Sequence, residues 1–472
     1  MAHPRLRSLI RSRRSLIARC SIALRVLAIL LLSVVLTPDA SGQRATVPSA
    51  PSQADLRLHG SNTIGETLAP ALVEAWLARD GYRDQTRREP VFEERVISGR
   101  SGTAVRTVEV KAHGSGTAFA SLLAGQADIG MSSRPVQTQE VLAGAEVIGR
   151  LDEPGQEVVL ALDGLAIIVH PSNPLRALAT SQVRAVFSGR LRDWAELGGR
   201  PGRIALHARD DRSGTWDSFR SMVLGTASLS PAARRYESTV ELAAAVAADP
   251  MAIGFVGLVG VNDRVRALAV SDGGAAVAPS EREVSVEDYP LSRRLYLYLP
   301  SQPTPLAREF VDFALSDEGQ AIVADAGFVS QRLALHGAPL AENAPIDYRE
   351  LVAGAERVSL NFRFGSGAGF MDGKALRDLD RLREFMLEGA GAGREILLAG
   401  FADSGEIGAY LAVRLSEERA DYIADQLALR GLRVARSRGF GGVLPVAAND
   451  SEFGRERNRR VEVWLRPPLN RP

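Results

Sequence analysis

Arg209-Asp210-Asp211-Arg212-Ser213-Gly214-Thr215-Trp216, running on as Asp217-Ser218-Phe219-Arg220, decides how the rest of the chain is read. It follows a short apolar stretch, Ile204-Ala205-Leu206-His207, and opens a helix. A Ser-Gly-Thr turn at a helix start leaves backbone N–H groups without intrahelical partners. The helix dipole favours an anion there, and glycine lets that anion approach the backbone closely. Arg209 adds a planar donor fork suited to a tetrahedral oxyanion, and Asp211 is placed to orient it. A surface helix capped by Ser213, with an incidental ion pair, has the same local signature. The two readings separate on whether the pattern recurs.

It recurs toward the N-terminus. Leu56-Arg57-Leu58-His59 reads as a strand, Gly60-Ser61-Asn62-Thr63 as a turn, and Ile64 to Ala78 as a helix with Ile64, Leu68, Leu72 and Trp76 on one face. Val108 to His113 is a second strand, Gly114-Ser115-Gly116-Thr117 its turn, and Ala118 to Ala124 the helix that follows. Ser132-Ser133-Arg134-Pro135 is another polar turn after a short strand. Gly164 to His170, Ile253 to Gly257 and Leu295 to Leu299 are further strands, with helices at 242–248 and 306–315. This alternation predicts an α/β fold with largely parallel pairing. Each Gly/Ser/Thr turn then sits at the carboxyl end of a strand, and several can surround one anion.

The whole chain of 472 residues is long enough for about three units. Its net charge of +1 is uneven: residues 1–42 hold seven arginines and one acid, and without them 50 basic and 55 acidic residues leave −5. Charge therefore suggests no nucleic-acid partner. The arginines precede an apolar run, Val26 to Leu36, and small residues through Gly42, as in a secretory signal peptide. The run is too short to span a bilayer comfortably. Residues 43–54 form a Pro/Ser-rich linker, and no second long apolar segment follows, which predicts a mature chain without a transmembrane segment. The single cysteine, Cys20, falls in the leader, so no disulfide or thiol chemistry is expected afterwards. His59, His113, His170 and His207 sit at strand ends without metal-ligand spacing, and they read as structural. No cofactor, metal or catalytic residue is expected.

The segment from about 55 to 333 resembles the periplasmic phosphate-binding proteins of phosphate ABC transporters. Arg-x-Asp-x-Ser-Gly-Thr (209–215) carries most of the resemblance, supported by Gly-Ser-Gly-Thr (114–117) and Asp-Ile-Gly-Met-Ser-Ser-Arg-Pro (128–135). The resemblance implies the two-lobed periplasmic-binding-protein fold, closing on phosphate or a similar oxyanion, with one lobe at about 55–162 and 288–333 and the other at 163–287. It implies ligand contacts from Thr63, the Ile64 backbone, Ser115, Ser133, Arg209, Ser213, Gly214 and Thr215. At Ser133 the best-known members carry an aspartate, an acceptor that rejects fully deprotonated anions. A serine there either donates or accepts. Arg134 beside it either adds positive charge or pairs with a surface acid.

Residues 334–356 read as a second linker. Beyond them Arg357 to Phe364 alternates like a half-buried strand, helices follow at 374–387 and 409–430, and strands at 395–399 and 460–465 complete a compact βαβαββ unit of the α+β class. Gly-Phe-Ala-Asp-Ser (400–404), Leu-Ser-Glu-Glu-Arg-Ala (415–420) and the stretch from Gly454 to Val463 resemble the OmpA-like peptidoglycan-binding domain across 357–468. In that family an Asp and an Arg hold the diaminopimelate end of the stem peptide. The matching positions are Asp403 and Arg419, with Asn458-Arg459-Arg460 as support. The family's asparagine before Leu-Ser is replaced by Leu411-Ala-Val-Arg414.

The chain reads as a periplasmic oxyanion-binding protein of a Gram-negative bacterium, tethered to peptidoglycan, with phosphate the expected ligand and an ABC permease an expected partner. Its alternative is a wall-anchored structural or phosphate-sensing protein that passes nothing to a transporter.

Overall fold

The computed structural model describes residues 54–211, 213–337, 340, 342–365, 371, 373–403, 405, 408–449 and 452–468. The leader 1–42, almost all of the linker after it, and Arg212 lie outside them. The strands before residue 300 are β1 (Leu56–Gly60), β2 (Arg83–Val91), β3 (Glu94–Ser101), β4 (Ala104–Lys111), β5 (Ile129–Ser132), β6 (Glu157–Val169), β7 (Ala177–Ala179), β8 (Ala205–Arg209), β9 (Arg234–Tyr236), β10 (Ala252–Gly257), β11 (Arg266–Ala267), β12 (Ala269–Ser271) and β13 (Ser292–Tyr298). After it come β14 (Leu335–His336), β15 (Glu356–Arg363), β16 (Glu395–Gly400), β17 (Val434–Gly439) and β18 (Arg460–Arg466).

Eleven strands share one sheet in the order β2-β3-β4-β1-β5-β13-β6-β10-β8-β9, with β11 also paired to β6. Strand β6 explains how one sheet serves two halves. It is buried from Val158 to Val169 and apolar there apart from Asp163. From Glu157 to Gly164 it pairs with β13, and from Leu165 to Val169 with β10. Each half then has its own core. On one side Trp76 packs edge-on against Phe310, with ring centroids 5.5 Å apart, among Leu56, Ile64, Leu72 and Val110. On the other Phe219 stacks on Phe255 at 3.9 Å, beside Phe187, Trp216 and Trp194. Aromatic pairs of this kind add to the burial of their area.

The pairing is mixed rather than largely parallel. β4-β1-β5 and β10-β8-β9 are parallel. The meander β2-β3-β4 is antiparallel, as are the contacts of β13 with β5 and β6 and of β6 with β10. The outer strand β2 is almost wholly exposed, so it lacks the apolar alternation that would reveal it.

The C-terminal sheet has the order β14-β15-β18-β16-β17. Its core joins Val358, Leu360 and Phe362 to Leu379 and Leu382 of the helix Gly373–Glu388 and to Ile423 and Leu427 of the helix Ala409–Leu429. The stretch 334–356 is more than a connection. It supplies β14, which pairs with β15, and the helix Ile346–Leu351, whose Tyr348 packs against Phe401, Phe440 and Trp464. This sheet lies against the crossing of the two halves. Arg357, Arg363 and Arg457 reach Val286 to Asp288, and Arg377 donates to the Glu157 carbonyl at 3.2 Å. Among the described residues no helix is long and apolar enough to cross a membrane.

Candidate functional site

Three turns converge where the halves of the large sheet face each other. The first follows β1. Gly60 has φ 140 and passes so near β5 that a Cβ would lie 2.0 Å from the Met131 carbonyl oxygen. Only glycine fits there. Helical bonding next begins with Gly65 N donating to Ser61 O at 2.8 Å, so the N–H groups of Asn62 to Ile64 precede the first bond. The Ile64 side chain is fully buried in the core, which leaves its backbone as the polar part of that residue.

The second turn precedes the helix Ser115–Leu123. Ser115 Oγ accepts a hydrogen bond from Ser133 N at 3.0 Å and lies 3.1 Å from Ser133 Oγ. Ser115 and Ser133 therefore form one hydroxyl pair across two turns. The third turn opens the helix Gly214–Phe219, whose first bond runs from Asp217 N to Ser213 O at 3.1 Å. Ser213 Oγ is buried and has no hydrogen-bond partner among the described residues. Such a buried hydroxyl costs free energy unless something pairs with it. Thr215 stands partly exposed on the same turn.

Thr63 and Gly214 bring opposite sides together. Thr63 Oγ1 donates to the Gly214 carbonyl at 3.1 Å, and a Cβ on Gly214 would lie 2.5 Å from Thr63 Cα. The two backbones can touch only because residue 214 has no side chain.

Arg209 lies at the end of β8 and is buried, but its guanidinium turns to the neighbouring loop. Nε donates to Tyr236 O at 3.3 Å, Nη2 to Glu237 O at 2.8 Å and Nη1 to Thr239 Oγ1 at 2.5 Å. Asp211 does not orient it. That carboxylate is mostly exposed and pairs with Arg235, because the chain leaves the strand pointing Asp211 outward. Arg134 takes the second of its two readings and forms a bidentate pair with Glu140 at 2.7 and 2.8 Å.

The sequence reading passed over Arg293 and Asp163. Arg293 Nε donates to Asp163 Oδ2 at 3.2 Å. Nη2 donates to Thr63 Oγ1 at 2.6 Å, contacts Ser218 Oγ and lies 3.5 Å from Gly214 O, while Nη1 lies 3.5 Å from Ser133 O. One guanidinium thus links all the converging turns. Burial lowers its pKa from the usual arginine value, against the pull of Asp163. The signal in the sequence was an acid inside the apolar run of β6 and an arginine pair, Arg293-Arg294, opening β13.

The histidines have local partners: His59 with Glu109 at 3.0 Å, His113 with Glu94 at 3.1 Å, His170 with Ser172 at 2.8 Å and His207 with Tyr236 at 2.9 Å. Among the described residues no group of three or more His, Cys, Asp or Glu could hold a metal ion.

In the C-terminal sheet Asp403 follows β16 with its carboxylate fully buried. Oδ2 accepts from Arg459 Nη1 at 3.2 Å and Oδ1 from Gly405 N at 2.9 Å. Arg419 is 2% exposed, with its guanidinium 5.4 Å from the Phe364 ring centroid. Gly400 lets β16 press on the helix that carries Arg419, since a Cβ there would lie 2.0 Å from Ser416 O. Asn458 holds the 446–449 loop through Val446 N, Ala447 N and Ala447 O.

Residues 88–318 match the model of a PBP superfamily domain. The phosphate-binding protein PstS of Pseudomonas aeruginosa is 30% identical over 242 residues, covering 47% of this chain and 73% of the relative. The protein of that name from Bacillus subtilis is 30% identical over 225 residues, covering 47% and 70%. Among solved structures, an ABC-type phosphate transport receptor from Vibrio cholerae matches 58% of this chain and 99% of its own, with 23% identity and a TM-score of 0.46.

Proposed function

Because the chain belongs to the PstS-type phosphate-binding proteins of the PBP superfamily, we propose that it captures inorganic phosphate, or a similar tetrahedral oxyanion, between the halves of its large sheet. It acts as a receptor, not an enzyme. The observation that carries this reading is the meeting of Thr63 with Gly214 beside the unpartnered hydroxyl of Ser213. Hydroxyls from Thr63, Ser115, Ser133, Ser213 and Thr215 and first-turn amides from Ile64 and Gly214 together offer donors an oxyanion needs, and Arg209 joins them by turning from the loop carbonyls of Tyr236 and Glu237 that it now serves. Their placement on both sides of β6 suits closure around a ligand. Delivery to an ABC permease is the natural use of such a receptor.

The C-terminal sheet, in this reading, docks on peptidoglycan in the periplasm. Asp403 takes the ammonium of a diaminopimelate stem peptide and Arg419 its carboxylate. The support is the sequence motif around both residues, with Asp403 just after β16 and Arg419 midway along the helix Ala409–Leu429.

Titration calorimetry of the full chain with phosphate, sulfate, molybdate and tungstate tests the first half, and no heat with any of them removes it. A wall pull-down tests the second. Capture that persists in the Asp403→Ala, Arg419→Ala double variant rules out that site.

A further inference from the structure

We propose that Arg293 is a second anion-contacting guanidinium, and that with Ser133 it makes the site accept fully deprotonated oxyanions such as sulfate as well as phosphate. This rests on the oxyanion reading above.

Donor capacity singles out Arg293. A guanidinium carries five N–H groups and no acceptor. Nε is spent on Asp163, and Nη2 on Thr63 and Ser218. Among the described residues Nη1 has a single distant contact, 3.5 Å to the Ser133 carbonyl, which leaves its two N–H groups largely uncommitted there. They lie between the Thr63 turn and the Ser115–Ser133 pair, where the anion would be held. Asp163 and Ser218 fix the other edge of the guanidinium, so its direction is set before any ligand arrives. Side-chain exposure is 9% for both Arg293 and Asp163. In so dry a place a charge-assisted bond is worth more than at the surface.

Selectivity follows from what faces the anion. A carboxylate that only accepts would require a proton on the ligand, because two acceptors would otherwise meet unpaired. Ser133 carries a hydroxyl that can donate, and Ser115 Oγ, 3.1 Å away, can do the same. Asp163, in contact with this cluster, is held by Arg293 and Ser218. Asp217, on the first turn of the helix Gly214–Phe219, also faces Arg293, and burial raises its pKa. One hydroxyl proton is spent within the Ser115–Ser133 pair; the other, with the uncommitted guanidinium edge, places no demand for a proton on the ligand.

The test is calorimetric titration of the full chain with phosphate and, separately, sulfate. The wild type is expected to bind both, with Kd values within about tenfold of each other. Arg293→Gln is expected to weaken both by roughly 30-fold, as for loss of charged hydrogen bonds, and to flatten the dependence on ionic strength. Arg293→Lys should restore most of the affinity and the salt dependence, which a purely structural arginine would not do. Ser133→Asp should keep phosphate and cost sulfate about 100-fold or more. If Arg293→Gln does not melt cooperatively, Asp163→Asn combined with Arg293→Gln removes the buried charge pair together and should show the same loss. Wild-type binding of phosphate with unchanged affinity in the Arg293→Gln chain overturns the inference alone, as does a wild type that takes phosphate and refuses sulfate. A wild type that binds neither anion overturns both this inference and the proposed function.

Discussion

Around Thr63 and Gly214 the chain gathers hydroxyls and backbone amides and leaves some of their capacity unused. Around Glu287 and Asp288 it gathers full charges and pairs each carboxylate with arginine, although Arg357 Nε, Arg363 Nε and Arg457 Nη1 are buried without a hydrogen-bond partner among the described residues. Asp288 meets Arg357 and Arg363 at 3.0 Å each, Glu287 meets Arg294 at 2.5 and 2.9 Å, and Arg357 also faces Glu462 at 3.3 Å. Arg457 donates to the backbone of the same two acids, and Tyr348 Oη donates to Glu462 at 2.7 Å. Both regions lie beside the crossing strand β6. The difference is one of purpose. A capture site needs donors that a ligand can complete, whereas a joint needs every buried charge answered within the chain. Glu287 has φ 59, a left-handed conformation unusual outside glycine, so the joint also holds backbone strain at the return from one half to the other.

The joint should fail first when one charge is removed. Asp288→Ala leaves Arg357 and Arg363 buried without their acid, and is expected to cost about 3–5 kcal/mol in denaturant unfolding. Oxyanion affinity should stay within about threefold of wild type. A large affinity loss would mean that joint and cleft work as one device.

Acid should act on the same place. For Asp288, burial alone would raise the pKa, but Arg357 and Arg363 outweigh it and hold the carboxylate at about 2. For Glu287, burial is likewise overcome, chiefly by Arg294, and the value is also about 2. Both lie below their unfolded values. Their contribution is therefore fully present above about pH 4.5 and is lost as the pH falls through 2, on the order of 2–3 kcal/mol apiece. Thermal melting from pH 6 to pH 2 should show this loss, and it should be smaller in Asp288→Asn.

The cleft should respond in the opposite sense. Gly214→Ala puts a methyl against Thr63 Cα and keeps the halves apart. Affinity should fall by roughly 30-fold, about 2 kcal/mol, with less than 1 kcal/mol lost in unfolding. Equal losses in both measurements would erase the distinction.

How much of this was legible depended on range. The turns at Gly60, Gly114 and Ser213 could be read because glycine and hydroxyl chemistry at a helix start is local. The meander was missed because Arg83 to Val91 is exposed and mostly charged. Arg293 and Asp163 stand 130 positions apart, and neither charge has meaning until β6 and β13 pair. Arg357 and Arg363 looked like the solvated face of a half-buried strand. They are 9% exposed because a second surface covers them, and no periodicity within β15 encodes that surface.

Ser213 offers the finest separation of the two kinds of chemistry. Its hydroxyl is buried without a partner among the described residues, so the folded chain already bears the cost of desolvating it. Ser213→Ala removes that cost along with the group. The melting temperature should therefore stay level or rise slightly, whereas a paired buried hydroxyl would lower it when deleted. Affinity for phosphate should drop a few-fold to about tenfold, because the anion loses a donor that nothing else uses. A variant destabilised with unchanged affinity would place Ser213 on the side of the joint, as a group that serves the fold. Higher stability with weaker binding would place it in the cleft, held in reserve for the ligand.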